Sequence, residues 1–442
     1  MENKIVNVIG AGLAGSEAAW QLASRGIKVR LFDMKPKKMS PAHKYTGFSE
    51  LVCSNSLRSN QLSNACGLLK EEMRVLNSLI MKAADKFKVP AGSALAVDRY
   101  KFSDFISITL KGIDGIEIIN EEVTKIPKGP VIIATGPLTS ENLLGEIGRI
   151  VGEEYCFFFD AAAPIVTAES IDMDKAFFAS RYDKGSDYLN CAMDKEAYYS
   201  FVDALINAEC VELKDFENKN VFEGCMPVEV MAKRGRDTLA FGPLKPVGIK
   251  NPRSDFKPYA VVQLRRENEA GTLYNIVGFQ THLKFGEQKR VFSLIPGLEN
   301  AEFVRYGVMH KNTFINSPKL LGENYRLKSN GNIFFAGQIS GVEGYVESAS
   351  SGLLTGIAAA YDIKGAKMPE LTDITAIGAL PEYVSNANPD LFQPMNINFG
   401  IIKPLEQRIR NKMEKNTIIA NRSIEYLKSL HINEHVLEGF YV

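Results

Sequence analysis

The residues best placed by type and spacing to do chemistry lie in four places along the chain. Gly10, Gly12 and Gly15 form a G-x-G-x-x-G run, with Ala11, Leu13 and Ala14 between them, and Asp33 follows about twenty residues on. Gly10 permits a tight turn, Gly12 lets backbone amides approach a pyrophosphate, and Gly15 lets a helix pack closely on a strand. Asp33 stands where a carboxylate can accept a hydrogen bond from a ribose hydroxyl, so the run reads as a dinucleotide site. Cys53 sits in Phe48-Ser49-Glu50-Leu51-Val52-Cys53-Ser54-Asn55-Ser56, a thiol among small hydroxyl and amide side chains. It reads either as backbone wrapped around a ligand or as a buried cysteine in a polar turn. Cys225 precedes Pro227 and an expected helix over 228–233, with Arg234 and Arg236 just beyond. A helix start and cationic neighbours both lower a thiol pKa, which makes Cys225 a candidate nucleophile, although a small apolar cap on a core is the other reading. His431-Ile432-Asn433-Glu434-His435 matches H-x-x-E-H but ends seven residues before the C-terminus, without room for a further ligand and a cleft. It reads as an exposed terminal helix face, and no metal site is expected.

These residues need particular elements to hold them. The apolar run Ile5 to Ile9 predicts a buried parallel strand, and Ala18, Ala19, Leu22 and Ala23 predict one apolar helix face that stops at Gly26. A second strand ends at Asp33. One amphipathic helix is expected over Leu68 to Phe87 and another over Asp98 to Leu110. Val131 to Ile133 predicts a short strand ending in the small-residue turn Ala134-Thr135-Gly136. From about 166 to 324 charges and aromatics mix and the elements shorten, which predicts an inserted domain. The chain then returns with Asn332 to Phe335, a turn holding Gly337, Gln338, Gly344 and Tyr345, and a small-residue helix from Val346 to Tyr361. This second strand, turn and helix could meet the far end of an extended dinucleotide such as FAD. No second G-x-G-x-x-G run occurs, so no separate nicotinamide domain is expected. The fold class is therefore α/β, an FAD-binding Rossmann-like domain of the glutathione-reductase kind with an inserted α+β domain. The expected divisions are 1–165 and 325–442 for the FAD-binding domain and 166–324 for the insertion.

Composition narrows the partners. Lys plus Arg and Asp plus Glu number 52 each in 442 residues, and 45% of the residues are hydrophobic. Neither disorder nor a bulk polyanion-binding charge is indicated, and any nucleic acid must meet a local patch. Lys233, Arg234 and Arg236 beside Cys225 could form one, or simply a solvated face. Apolar runs such as 155–166 are interrupted and too short to span a bilayer, and the N-terminus runs straight into a strand, so a cytoplasmic protein without a membrane partner is expected. The six cysteines form no C-x-x-C pair and are expected as thiols.

The sequence resembles the folate- and FAD-dependent tRNA (uracil-5-)-methyltransferase family, TrmFO, over essentially its whole length. The motifs that carry the resemblance include VIGAGLAGSEAAWQLA at 8–23, ELVCSNSLRS at 50–59, VPAGSALAVDR at 89–99, FEGCMPVEVMAKRG at 222–235, YNIVGFQTHLK at 274–284 and FFAGQISGVEGYVESAS at 334–350. The resemblance implies methylation of uracil C5 in RNA, at uridine 54 of the tRNA T-loop, with methylenetetrahydrofolate as carbon donor and NADPH or NADH as the source of electrons for FAD.

The family's chemistry implies roles for both cysteines. Uracil C5 is a poor nucleophile until a thiolate adds at C6. Cys225 and Cys53 both match family functional positions, Cys225 read as the nucleophile and Cys53 as a protecting thiol or the acid/base at C5, with the two roles open to exchange. Gly10, Ala11, Gly12, Leu13, Ala14, Gly15 and Asp33 would hold the pyrophosphate and ribose, with Thr135, Gly337, Gln338, Gly344 and Tyr345 against the rest of the dinucleotide. The alternatives are the same chemistry on ribosomal RNA, a plain NAD(P)H-dependent flavin oxidoreductase using the two cysteines as a redox pair, and an RNA-binding protein merely stabilised by FAD. No stable protein partner is implied.

Overall fold

The computed structural model describes residues 5–152, 155–183, 185–211, 226–253, 257–267, 270–390, 392 and 394–440. Its first sheet is parallel, in the order Ile333–Phe335, Val131–Ile133, Val6–Ile9, Val29–Phe32, Ile116–Ile119. Val8 stands between Leu31 and Ile132, and Ile132 in turn lies beside Phe334, so the centre of the sheet is apolar across these strands. Parallel strands covered on both faces require such continuous apolar runs. The helix Leu13–Ala23 leaves the first strand through the glycine turn and lies against the long helix Tyr345–Lys364. Small residues set that approach: a Cβ on Gly352 would stand 2.0 Å from the Ala14 carbonyl oxygen, and one on Gly356 2.8 Å from that of Ala18.

The single helix expected over 68–87 is two, Ala65–Val75 and Leu79–Lys86. Asn77 adopts φ +61°, and the Ser78 side chain accepts from the Met81 amide to start the second helix. An Asx or Ser side chain at a helix start satisfies amides that the preceding turn leaves open. The chain therefore changes direction where the apolar pattern alone runs on.

The second sheet is antiparallel, in the order Ala176–Ala179, Tyr188–Met193, Ala260–Arg266, Leu273–Ile276, Ile165–Thr167, Phe303–Arg305. Tyr198, Phe201, Val228, Val291 and Phe292, from the helices Lys195–Ile206, Val228–Lys233 and Phe285–Phe292, share a core with Leu189, Val262 and Leu264 of the sheet. A two-stranded antiparallel ribbon, Tyr155–Ala162 with Val308–Ile315, carries the chain between the two bodies. Phe314, Ile315 and Leu321 already belong to the first core, ahead of the return expected at 325. Among the described residues no helix is long and apolar enough to cross a membrane.

A buried carboxyl joins the C-terminal helices to the first body. Glu72 accepts from the amides of Ala376 and Ile377 at 2.8 and 2.7 Å, which open the helix Ala376–Asn386, and from the Ser423 hydroxyl. Burial pushes this carboxyl up to about 7, against the pull of those donors. From the ordinary value of 4.5 up to about 7 the folded chain holds a proton that the unfolded chain releases, so stability falls as pH rises through this window. We expect a loss of about 3 kcal/mol between pH 4.5 and 8, by the free-energy equivalent of the shift. Chemical denaturation across this range checks it. Glu72→Gln is expected to flatten the slope, and an unchanged slope in that variant would place its origin elsewhere.

Candidate active site

The glycine turn, the Asp33 strand end and the Cys53 loop converge because the backbone ties them together. Gly10 takes φ +99°, and a Cβ there would stand 2.6 Å from the Ala134 carbonyl oxygen. A Cβ on Gly15 would stand 1.7 Å from the Gly10 carbonyl oxygen, so Gly15 serves the helix-on-turn contact and does not line the cleft. Gly12 differs: a Cβ there would have nothing within 4 Å. Gly12 caps the helix with no side chain, leaving the first-turn amides open to a ligand in the cleft. Asp33 is buried, and its two oxygens accept from the amides of Ala11 at 2.9 Å and Lys35 at 2.8 Å. Each carboxylate oxygen has a further lone pair for a hydroxyl. The Ser49 amide donates to the Ala11 carbonyl at 2.9 Å and so seats the Cys53 loop on the glycine turn.

One cleft gathers most of the expected residues. Gly10 to Ala14, Asp33, Cys53, Thr135, Gly337, Gln338 and Tyr345 line a space of about 1340 Å³, its open mouth included. Gly344 does not line it. Gly344 takes φ +112° at the start of the long helix, and the place of its Cβ is filled by the Glu347 carboxylate, 2.3 Å away. Thr135 shares a 2.6 Å hydrogen bond with Thr139, and the Gln338 amide donates to Glu343 at 2.7 Å. An uncapped helix start, an open glycine and a buried carboxylate fit the extended dinucleotide expected from the sequence. Cys225 lies outside the described residues. Of its basic neighbours, Arg236 forms an exposed ion pair with Asp203 and lies 4.5 Å over the Tyr199 ring.

Cys53 is held more firmly than its loop sequence suggests. Its Sγ lies 2.8 Å from the Tyr345 hydroxyl, which also accepts from the amides of Cys53 and Ser54 at 2.7 and 3.2 Å. Burial pushes the Tyr345 phenol well above its ordinary value, with Cys53 adding to the shift and Arg99 opposing it, so the hydroxyl keeps its proton at neutral pH. Behind the loop stand charged residues that sequence reasoning did not single out. Arg99 donates to the Val52 carbonyl at 3.2 Å and forms a buried ion pair with Glu267. Arg265 donates to Asn55 at 3.0 Å and to the Ser54 hydroxyl at 2.7 Å. Burial lowers the Arg265 guanidinium, and Glu267 opposes that. Arg265 lies in the strand Ala260–Arg266, so the second sheet holds the loop that carries Cys53. The signal available in the sequence was the run Gln263-Leu264-Arg265-Arg266-Glu267, where charges enter an otherwise apolar strand.

Among the described residues no cluster of His, Cys, Asp and Glu could hold a metal. Residues 5–367 match the family model described as glucose inhibited division protein A. A protein of Acetivibrio thermocellus named methylenetetrahydrofolate--tRNA-(uracil-5-)-methyltransferase TrmFO is 64% identical over 425 residues, covering 96% of this chain and 98% of that protein. A protein of the same name from Bacillus subtilis is 58% identical, covering 97% of this chain and 99% of that protein. The structure of Aquifex aeolicus GidA superimposes with a TM-score of 0.71 at 17% identity, covering 99% of this chain and 74% of that one, a likeness of fold alone. With relatives this similar over nearly their full lengths, the chain belongs to the TrmFO family.

Proposed function

We propose that this chain methylates uracil C5 in tRNA, at uridine 54 of the T-loop, with methylenetetrahydrofolate as carbon donor and NADPH or NADH as reductant of a bound FAD. The observation that carries this reading is the Cys53 thiol in the wall of a dinucleotide cleft, in a chain 64% identical to a protein named for this reaction. When bound, FAD supplies the two electrons that take a carbon from the formaldehyde level to a methyl group. Gly10 to Ala14 and Asp33 would hold its pyrophosphate and ribose, with Thr135, Gly337 and Gln338 along the rest. Cys225 would add to uracil C6, turning C5 into an enolate carbon that attacks the one-carbon unit. Loss of the C5 proton then frees that carbon from its carrier, and after two electrons have reduced it to a methyl group the resulting enolate expels the thiolate and restores the ring. Cys53, held against Tyr345, is placed to protect the reduced cleft or to move that proton. The reaction belongs in the cytoplasm, where folate and unmodified tRNA meet.

The experiment follows the methyl carbon. Purified protein is incubated with NADPH, an unmodified tRNA transcript, and either labelled methylenetetrahydrofolate or methyl-labelled S-adenosylmethionine, with Cys225→Ala in parallel. Label from folate in the T-loop uridine, lost in the variant, is the expected result. NADPH consumption with no folate label in RNA would sink the reading in favour of a plain flavin oxidoreductase. Label entering with Cys225→Ala would transfer the nucleophile's role to Cys53.

A further inference from the structure

The inserted domain carries a column of aromatic rings that runs from its core to its surface. Phe279 and Phe292 are fully buried at the base, edge to face at 5.1 Å, and Phe303 follows 6.3 Å from Phe292. Tyr306 stacks on Phe303 at 5.1 Å with the planes 9° apart, and Phe285 stacks on Tyr306 at 4.8 Å and 16°. Phe285 ends the column and is 56% exposed. Scattered exposed apolar side chains need no explanation. An exposed ring aligned by two stacked neighbours is a different object: it is presented flat, at the spacing of offset stacking, with its orientation already fixed.

The column's place in the fold points to its occupant. Phe285 opens its helix directly after 280–284, the segment that anchors the chain on both sides of 212–225: the Val211 amide donates to the His282 carbonyl at 2.9 Å and the Val228 amide to the Gln280 carbonyl at 2.8 Å. Phe285 thus opens its helix beside the backbone that holds the described residues on either side of 212–225. Lys284, Lys289 and Arg290 lie near Phe285 in the chain. Lys284 and Arg290 hold exposed ion pairs with Glu209 and Glu287, for which a phosphate can compete. An exposed ring with cations close by in the chain suits a nucleobase on a phosphate backbone.

We propose that the outer face of Phe285 is a stacking platform for a base of the substrate RNA, the neighbour that loses its partner when the target uridine is drawn out. This rests on the RNA-methylation reading above. Extruding a base leaves the adjacent one with an uncovered face, and a protein ring laid there offsets part of the unstacking.

The test measures equilibrium binding of an unmodified tRNA transcript to the FAD-loaded full chain, as wild type, Phe285→Ala, Phe285→Leu and Phe285→Tyr. Flavin absorbance and the melting temperature verify that each variant is folded. Phe285→Ala is expected to weaken binding by about 5- to 150-fold, the worth of stacking one base. Phe285→Tyr is expected to bind like the wild type, and Phe285→Leu, which keeps apolar bulk without a ring, to stay weak. Binding by Phe285→Ala within twofold of the wild type would overturn the platform while leaving the methylation reading intact. Full binding by Phe285→Leu would overturn stacking in favour of plain apolar contact. A rise in the half-saturating methylenetetrahydrofolate concentration with RNA affinity unchanged would reassign the ring to folate and overturn the proposal. A wild-type protein that binds no tRNA would overturn both readings together.

Discussion

Gly12→Ala is expected to give a protein that folds like the parent and purifies with less FAD bound. The backbone at Gly12 is extended, at φ −74° and ψ −170°, which alanine adopts without strain, and the added Cβ meets no protein atom within 4 Å. The methyl group instead occupies the space through which the helix's first amides reach a pyrophosphate. Losing one hydrogen bond to a charged group corresponds to on the order of 2 kcal/mol, or roughly 30-fold in affinity. Flavin absorbance of the purified protein and titration of FAD into the apoprotein measure it. Gly15→Ala separates the two uses of glycine in the same turn. Its Cβ would stand 1.7 Å from the Gly10 carbonyl oxygen, which forces the helix off the strand and destabilises the domain by about 1–3 kcal/mol or more. Gly12→Ala with full flavin content, or Gly15→Ala with unchanged stability, would contradict this division.

The contrast between those two glycines also marks what could be read from the residues beforehand. The dinucleotide turn was legible because its requirements are local: a strand, three glycines, a helix and an acid within 33 residues. Gly344 is less legible for the same reason, since a glycine at a strand–turn–helix junction looks alike whether the place of its Cβ faces a cleft or, as here, the Glu347 carboxylate. The break at Asn77 was invisible to periodicity, because Leu76 and Leu79 continue the apolar pattern while Asn77 and Ser78 reset its direction. Least legible was the support of Cys53. Arg265 meets Asn55 of that loop across 210 residues of sequence, and no local pattern names a partner that distant.

That support yields the largest stability effect expected of any single substitution in the site. Arg99 and Glu267 are paired with only 5% and 2% of their side chains exposed, and Arg265 lies close enough to both to feel their charges. Water cannot compensate an ion left alone in such a place. Glu267→Ala would leave Arg99 and Arg265 facing each other without a carboxylate, and removing one partner of a buried pair typically destabilises by about 3–5 kcal/mol. Replacing both, as Arg99→Met with Glu267→Leu, is expected to recover part of that loss, because apolar packing can substitute for the Arg99 pair while Arg265 still lacks its carboxylate. Urea midpoints at constant slope measure both variants. The double variant nevertheless lacks the guanidinium that donates to Val52, so stability and loop order should part company: Cys53 alkylation, followed by peptide mass, is expected to run faster than in the wild type even as the urea midpoint recovers. Equal alkylation rates would show that Tyr345 and Arg265 suffice to hold the thiol, and that the Arg99 pair serves the domain junction alone.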